Sequence, residues 1–230
     1  MKSRIIRGID RLLRTSYFAK FNNSKIGYHK TFPKTKIGSR IFIHVPRTGG
    51  TSINYYMQNY NKTHSDKLLY IEPHYIPNFD LPITAFRYYT VVRNPVERAI
   101  SYYFLQLRDK NQPYRYLAMA GFERFVNKCW EVNNIFVRYF ANAIEKSIID
   151  DSDVHTAFQN LSKFEKVIDF NRISEFFCQE FLVTNVGFPH LNKTESKSIN
   201  AEMKSLIKEK NTYDIKLYDL VMENLIWKSQ

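Results

Sequence analysis

The chain has 230 residues and a formal net charge of +12, from 34 Lys and Arg against 22 Asp and Glu, which favours anionic partners and brings no nucleic-acid-binding signature with it. With 44% hydrophobic and 24% charged residues it has the make-up of a globular protein with one sizeable core, and no run nears the roughly twenty apolar residues of a membrane span, so no transmembrane segment is expected. Two distant cysteines and six histidines without an H-x-x-x-H pair exclude a disulfide framework and point to no metal site.

Residues 1–39 form a basic lead-in that opens MKSRIIRGIDRLLRTSYFAK. Charges interrupt its apolar residues, so it reads as a peripheral helix or loose arm, or as a helix for a membrane surface or an acceptor. Ile41 to Val45 is a short buried strand. It breaks at Pro46, passes through Arg47, Thr48, Gly49 and Gly50, and enters a helix over about 50–60 at Thr51 and Ser52. A strand that turns through glycines into a helix aims backbone N–H groups and the positive end of the helix dipole at one spot, which suits phosphate or a similar anion. Arg47 adds a full charge there, and Thr48, Thr51 and Ser52 add hydroxyl donors. The plain alternative is an ordinary connection that needs Gly for its backbone. The loop is not G-x-x-x-x-G-K-[ST], because no Lys precedes the hydroxyl pair.

Residues 61–67 read as polar linker and Leu68 to Ile71 as a short strand, followed by the loop EPHYIPNFDLP. Tyr89 to Val92 is another buried strand. Asn94 suits an N-cap and Pro95 a first helical position, which predicts a helix to Arg108. Arg93 then stands at the carboxyl end of a strand, where open α/β sheets bind ligands. Arg98 and Ser101, three apart, share a helix face. Residues 109–120 are polar without clear periodicity and read as a mobile loop near an acceptor. Helical patterns recur at 121–131, 133–143 and 153–163, Glu165 to Phe170 reads as a strand, 173–182 as a helix, and 184–198 as loop. Helices near 199–210 and 214–227 close the chain. Cys129 and Cys178 lie in apolar helical contexts and are expected as buried free thiols. Short apolar strands alternating with helices predict a three-layer α/β domain over 40–230, with a central, mainly parallel sheet.

VPRTGGTS, followed some forty residues later by VVRNPVERAISYYF, resembles the sulfotransferases. It is most similar to the branch that holds the heparan sulfate 2-O- and 6-O-sulfotransferases and their bacterial relatives. NVGFPHLNKTES and YDIKLYDLV resemble that family's closing segments, so the likeness spans roughly 40–222. The resemblance implies a P-loop-NTPase-like fold, 3′-phosphoadenosine 5′-phosphosulfate (PAPS) as donor, 3′-phosphoadenosine 5′-phosphate (PAP) as product, and a hydroxyl of a saccharide or glycan as acceptor. An acidic glycan would suit the charge. Carried over by position, Arg47, Thr48, Gly49, Gly50, Thr51 and Ser52 would hold the 5′-phosphosulfate, and Arg93 and Ser101 the 3′-phosphate. Lys193, with Asn192, would close over the nucleotide. The family usually has Lys where this chain has Arg47. Lys is a compact donor that follows charge onto a bridging oxygen; Arg is planar and bulkier.

Sulfuryl transfer needs the donor held in line, the leaving phosphate neutralised and the attacking hydroxyl deprotonated. In the resembling family a His just after a similar strand serves as base, which selects His74, with Glu72 to orient or replace it and His190 in reserve. His44, inside a strand run, reads as a core residue. Two other classes fit parts of the sequence. A nucleotide kinase or NTPase would need the missing loop Lys and a magnesium-binding Asp, for which Asp169 in VIDF is the weak candidate. A non-catalytic binder of anionic polymers would explain the charge but not two ordered motifs. With no tether and no paired cysteines, the expected setting is a bacterial-type cytoplasmic one, peripheral to a membrane at most.

Overall fold

The computed structural model describes residues 40–65, 68–71, 86–181 and 199–228; the basic lead-in lies outside them. Four strands form one all-parallel sheet: β1 (Arg40–Ile43), β2 (Leu68–Ile71), β3 (Arg87–Val92) and β4 (Lys166–Asp169), in the order β2-β1-β3-β4. Ile41 pairs with Leu69 on one side and Tyr88 on the other, and Thr90 of β3 with Val167 of β4. Alternate residues of each strand face opposite sides. Ile41, Ile43, Tyr88, Val92 and Val167 enter one apolar cluster, whereas Phe42, Tyr89, Val91 and Ile168 enter another. Both faces are therefore covered, which is why the inner strands read as continuous apolar runs.

The smaller cluster is closed by α1 (Gly50–Thr63) and α7 (Ile173–Phe181). The larger is closed by α2 (Pro95–Arg108), α3 (Arg115–Met119), α4 (Phe122–Lys128), α5 (Ile135–Phe140), α6 (Asp151–Leu161), α8 (Ala201–Lys210) and α9 (Thr212–Asn224). The sequence supplies the stops. Asn94 accepts from the N–H groups of Val96 and Glu97 ahead of Pro95, and Asp150 and Asp153 form a reciprocal capping box at α6. The starts of α5 and α9 cap each other. Asp214 Oδ1 and Oδ2 accept from Val137 N and Phe136 N at 2.9 and 3.1 Å, and Asn134 Oδ1 accepts from Tyr213 N and Asp214 N, both at 3.0 Å.

Two expectations are corrected. Residues 109–120 are anchored rather than mobile. Tyr114, Leu117 and Ala118 are buried at i, i+3 and i+4 spacing, and the Tyr114 hydroxyl accepts from Trp130 Nε1 at 2.6 Å. Asp109 and Gln106 then satisfy the turn, accepting from Asn111 N and Tyr114 N at 2.9 Å. Cys178 is exposed while Cys129 is buried. The buried face of α7 is Ile173, Phe176, Phe177 and Phe181, and position 178 falls outside that stripe. Among the described residues no helix is long and apolar enough to cross a membrane.

Candidate functional site

The chain leaves β1 through α1 to β2 on one side, then returns to β3 on the other side of β1. Connections diverge there, and in open parallel sheets a crevice opens at the carboxyl ends of two such strands. The loop after β1 and the junction of β3 with α2 both lie at that point. Each carries an arginine.

Thr48 closes the first turn: its N–H and Oγ1 both donate to Val45 O, at 3.3 and 2.8 Å. Its hydroxyl thus serves the loop's own shape. Arg47 has φ 72 and Gly49 φ 85, both left-handed, a region costly for a side-chain-bearing residue such as Arg47. Glycine is required at 49 and 50 for space as well. A Cβ at Gly49 would lie 2.9 Å from Ile173 Cδ1 and 3.3 Å from Phe170 Cε2, and one at Gly50 would overlap the buried His44 ring. His44 is thus the core residue expected, with the function of flooring the loop. Gly49 is the N-cap of α1 and supplies no side-chain cap, and no acidic residue stands in the first turn. The helix end keeps its positive character. Thr51 is exposed and Ser52 buried at this end.

The two motifs meet directly. Arg47 Nε and Nη2 donate to Ser101 Oγ at 3.2 and 2.8 Å, across 54 residues of chain. Both lone pairs of that hydroxyl are taken, so Ser101 has no acceptor capacity left. Arg93 Nη1 donates to Arg47 O at 3.1 Å. Its guanidinium lies over the Phe170 ring, 4.2 Å from the centroid, and its Nε is 3.9 Å from Glu97 Oε2.

Burial pulls the Arg47 guanidinium down to about 10, and the nearby Arg93 and Arg108 cations pull the same way. It remains charged at neutral pH. Burial also lowers Arg93, with Glu97 opposing. Arg98, fully buried one turn before Ser101, is lowered by burial against Asp214 and Glu131, and donates to Glu131 O at 2.7 Å. Partly desolvated cations gathered this closely repel one another, and an anion between them relieves that cost.

The structure thus brings Arg47, Gly49, Gly50, Arg93 and Ser101 together at one sheet edge. His74, Glu72, His190, Asn192 and Lys193 lie outside the described residues. Asp169, the weak magnesium candidate, is buried and accepts from Asn171 N at 2.9 Å, holding the turn after β4. Among the described residues no group of three or more His, Cys, Asp or Glu side chains could hold a metal. Sequence reasoning missed Phe170, Ile173 and Arg108. Phe170 ends an apolar strand run and carries no motif; Arg108 lies seven residues after Ser101 on one helix, a spacing that places them on a common face. Compared with known proteins, the chain matches no family model and none of the curated proteins.

Proposed function

We infer that the protein is a PAPS-dependent sulfotransferase of P-loop-NTPase-like fold acting on a hydroxyl of a saccharide or glycan. The observation that supports it is the joining of the two motifs at the β1/β3 switch point, where Arg47 is bonded to Ser101 and Arg93 to the Arg47 carbonyl. The resemblance assigns these motifs to opposite ends of one bisphosphorylated adenosine, and a contact between the motifs is what one shared ligand would require.

In this reading the loop from Arg47 to Ser52 holds the 5′ end and Arg93 with Ser101 the 3′-phosphate, and the resemblance adds Lys193 as a further nucleotide-binding residue. The donor supplies an activated sulfuryl group. The acceptor oxygen bonds to sulfur, the bond from sulfur to the bridging oxygen breaks, and PAP leaves with that electron pair. Arg47 faces the growing charge on the bridging oxygen. His74 takes the acceptor proton. The Arg47 fork, held by Ser101, keeps its charge at the loop through the reaction, although it differs in shape from an ammonium group.

Calorimetry with PAP, followed by transfer from labelled PAPS to a panel of glycans, tests the reading. Binding with sulfate-ester formation supports it; no PAP binding removes it. PAP binding without transfer to any acceptor in single turnover marks a non-catalytic binder. Arg93→Ala is expected to lose PAP affinity.

A further inference from the structure

We propose that Phe170 is the positioning residue for the 3′-phosphate-reading arginine: its ring, carried by the turn at the end of β4, sets the direction of the Arg93 guanidinium and forms the third wall of the anion site. This rests on the PAP-binding reading above and adds to it a residue from an element that neither motif contains.

The contacts are specific. Phe170 is only partly buried and packs beside the core rather than inside it. Arg93 lies over its ring at 4.2 Å from the centroid. The Phe170 Cε2 and Cδ2 edge stands 3.3 and 3.6 Å from where a Cβ at Gly49 would be. One ring thus touches both halves of the site. A guanidinium held over an aromatic face is confined by that face on one side, so the ring limits the directions in which its N–H groups can donate. Arg93 Nη1 already reaches the Arg47 carbonyl, and its buried Nε has no hydrogen-bond partner among the described residues. That N–H is 3.9 Å from the exposed Glu97 carboxylate, beyond hydrogen-bond range, and so stays open to an anion that approaches closer.

The turn is held from both sides. Asp169 Oδ1 accepts from Asn171 N and Nδ2 at 2.9 and 3.3 Å. Arg172 pairs with Glu175 at 2.8 Å, donates to Trp227 O at 3.0 Å and lies over the Trp227 ring. A ring fixed this firmly is a rigid platform, which is what orientation of a charged side chain demands. Asp169, placed where a kinase would hold magnesium, is committed to this support.

The test compares the affinity for PAP with that for AMP, which lacks the 3′-phosphate, in wild type, Phe170→Leu and Phe170→Tyr. Phe170→Leu is expected to cut the PAP preference over AMP about five- to tenfold, the worth of one partly desolvated cation–π contact, because the loss for PAP exceeds that for AMP. Phe170→Tyr keeps the ring and should restore the preference. On an Arg93→Ala background Phe170→Leu should have no further effect on the ratio. An unchanged ratio in Phe170→Leu, or an equal loss with and without Arg93, overturns the assignment. A wild-type protein with no preference for PAP over AMP removes the reading beneath it as well. A melting curve for each variant separates these results from unfolding.

Discussion

Gly49→Ala tests the loop geometry most sharply. Position 49 has φ 85, and a left-handed conformation costs a residue with Cβ about 1–2 kcal/mol. The new Cβ would stand 2.9 Å from Ile173 Cδ1, so the methyl must retreat, and a side chain forced off its rotamer costs about 0.5–1.5 kcal/mol. Together these predict a loss of roughly 1.5–3.5 kcal/mol. For a chain of this size each kcal/mol lowers Tm by about 2–4 °C, so calorimetry should show a drop of roughly 3–14 °C. PAP affinity should fall too, because Phe170 Cε2 is the next atom in the way, at 3.3 Å, and it supports Arg93. Ile173→Val removes the obstructing methyl. Gly49→Ala/Ile173→Val should be more stable than the sum of the single losses predicts, recovering the steric part and none of the backbone part. Strict additivity, or a Gly49→Ala protein with wild-type Tm and affinity, would refute the argument.

Other outcomes follow from the same structure. Ser101→Ala removes the acceptor of two Arg47 N–H bonds. Hydrogen bonds to charged groups contribute about 1.5–3 kcal/mol, so PAP affinity by calorimetry should drop at least about tenfold, and an unchanged value counts against the joined site. His74→Ala should bind PAP normally while turnover falls by roughly two to four decades; retained turnover moves the base to Glu72 or His190. Burial pushes Asp214 up to about 6 from an ordinary 3.8, against the pull of the Val137 and Phe136 N–H groups and of Arg98 and Arg138. A carboxyl raised on folding stabilises fully below its unfolded value, and that contribution is lost as pH rises through 6. At about 1.4 kcal/mol per unit the loss is about 3 kcal/mol. Urea unfolding between pH 4 and 7 should show it in wild type and not in Asp214→Asn; parallel profiles would rule out Asp214 as its source.

Much of the frame was legible without coordinates. The strand readings Ile41 to Val45 and Tyr89 to Val92 fall on Arg40–Ile43 and Arg87–Val92, because an inner strand covered on both faces is a near-continuous apolar run, and Leu68 to Ile71 is a strand as read. The span Pro95–Arg108 matches the predicted helix at both ends, since Asn94 and Pro95 satisfy local backbone needs that depend on nothing distant. Arg93 at a strand's end followed from the same reasoning. Residues 109–120 failed because three buried positions in a five-residue helix and its cap are too few for a period to emerge from polar neighbours. Cys178 failed because an apolar segment is not apolar on every side.

Local patterning thus determined which segments are strands and helices, where the second motif's helix begins, and that the chain carries two candidate anion loops in order. Only the tertiary structure decided that the loops touch: Arg47 and Ser101 lie 54 positions apart, and the strand order that joins them is written in no single segment. It also brought in Phe170, from the turn after β4, beneath Arg93. Hydrogen-bonded turns answer to neighbours along the chain, whereas a crevice between parallel strands is made by residues whose approach in space is unrelated to their spacing in sequence.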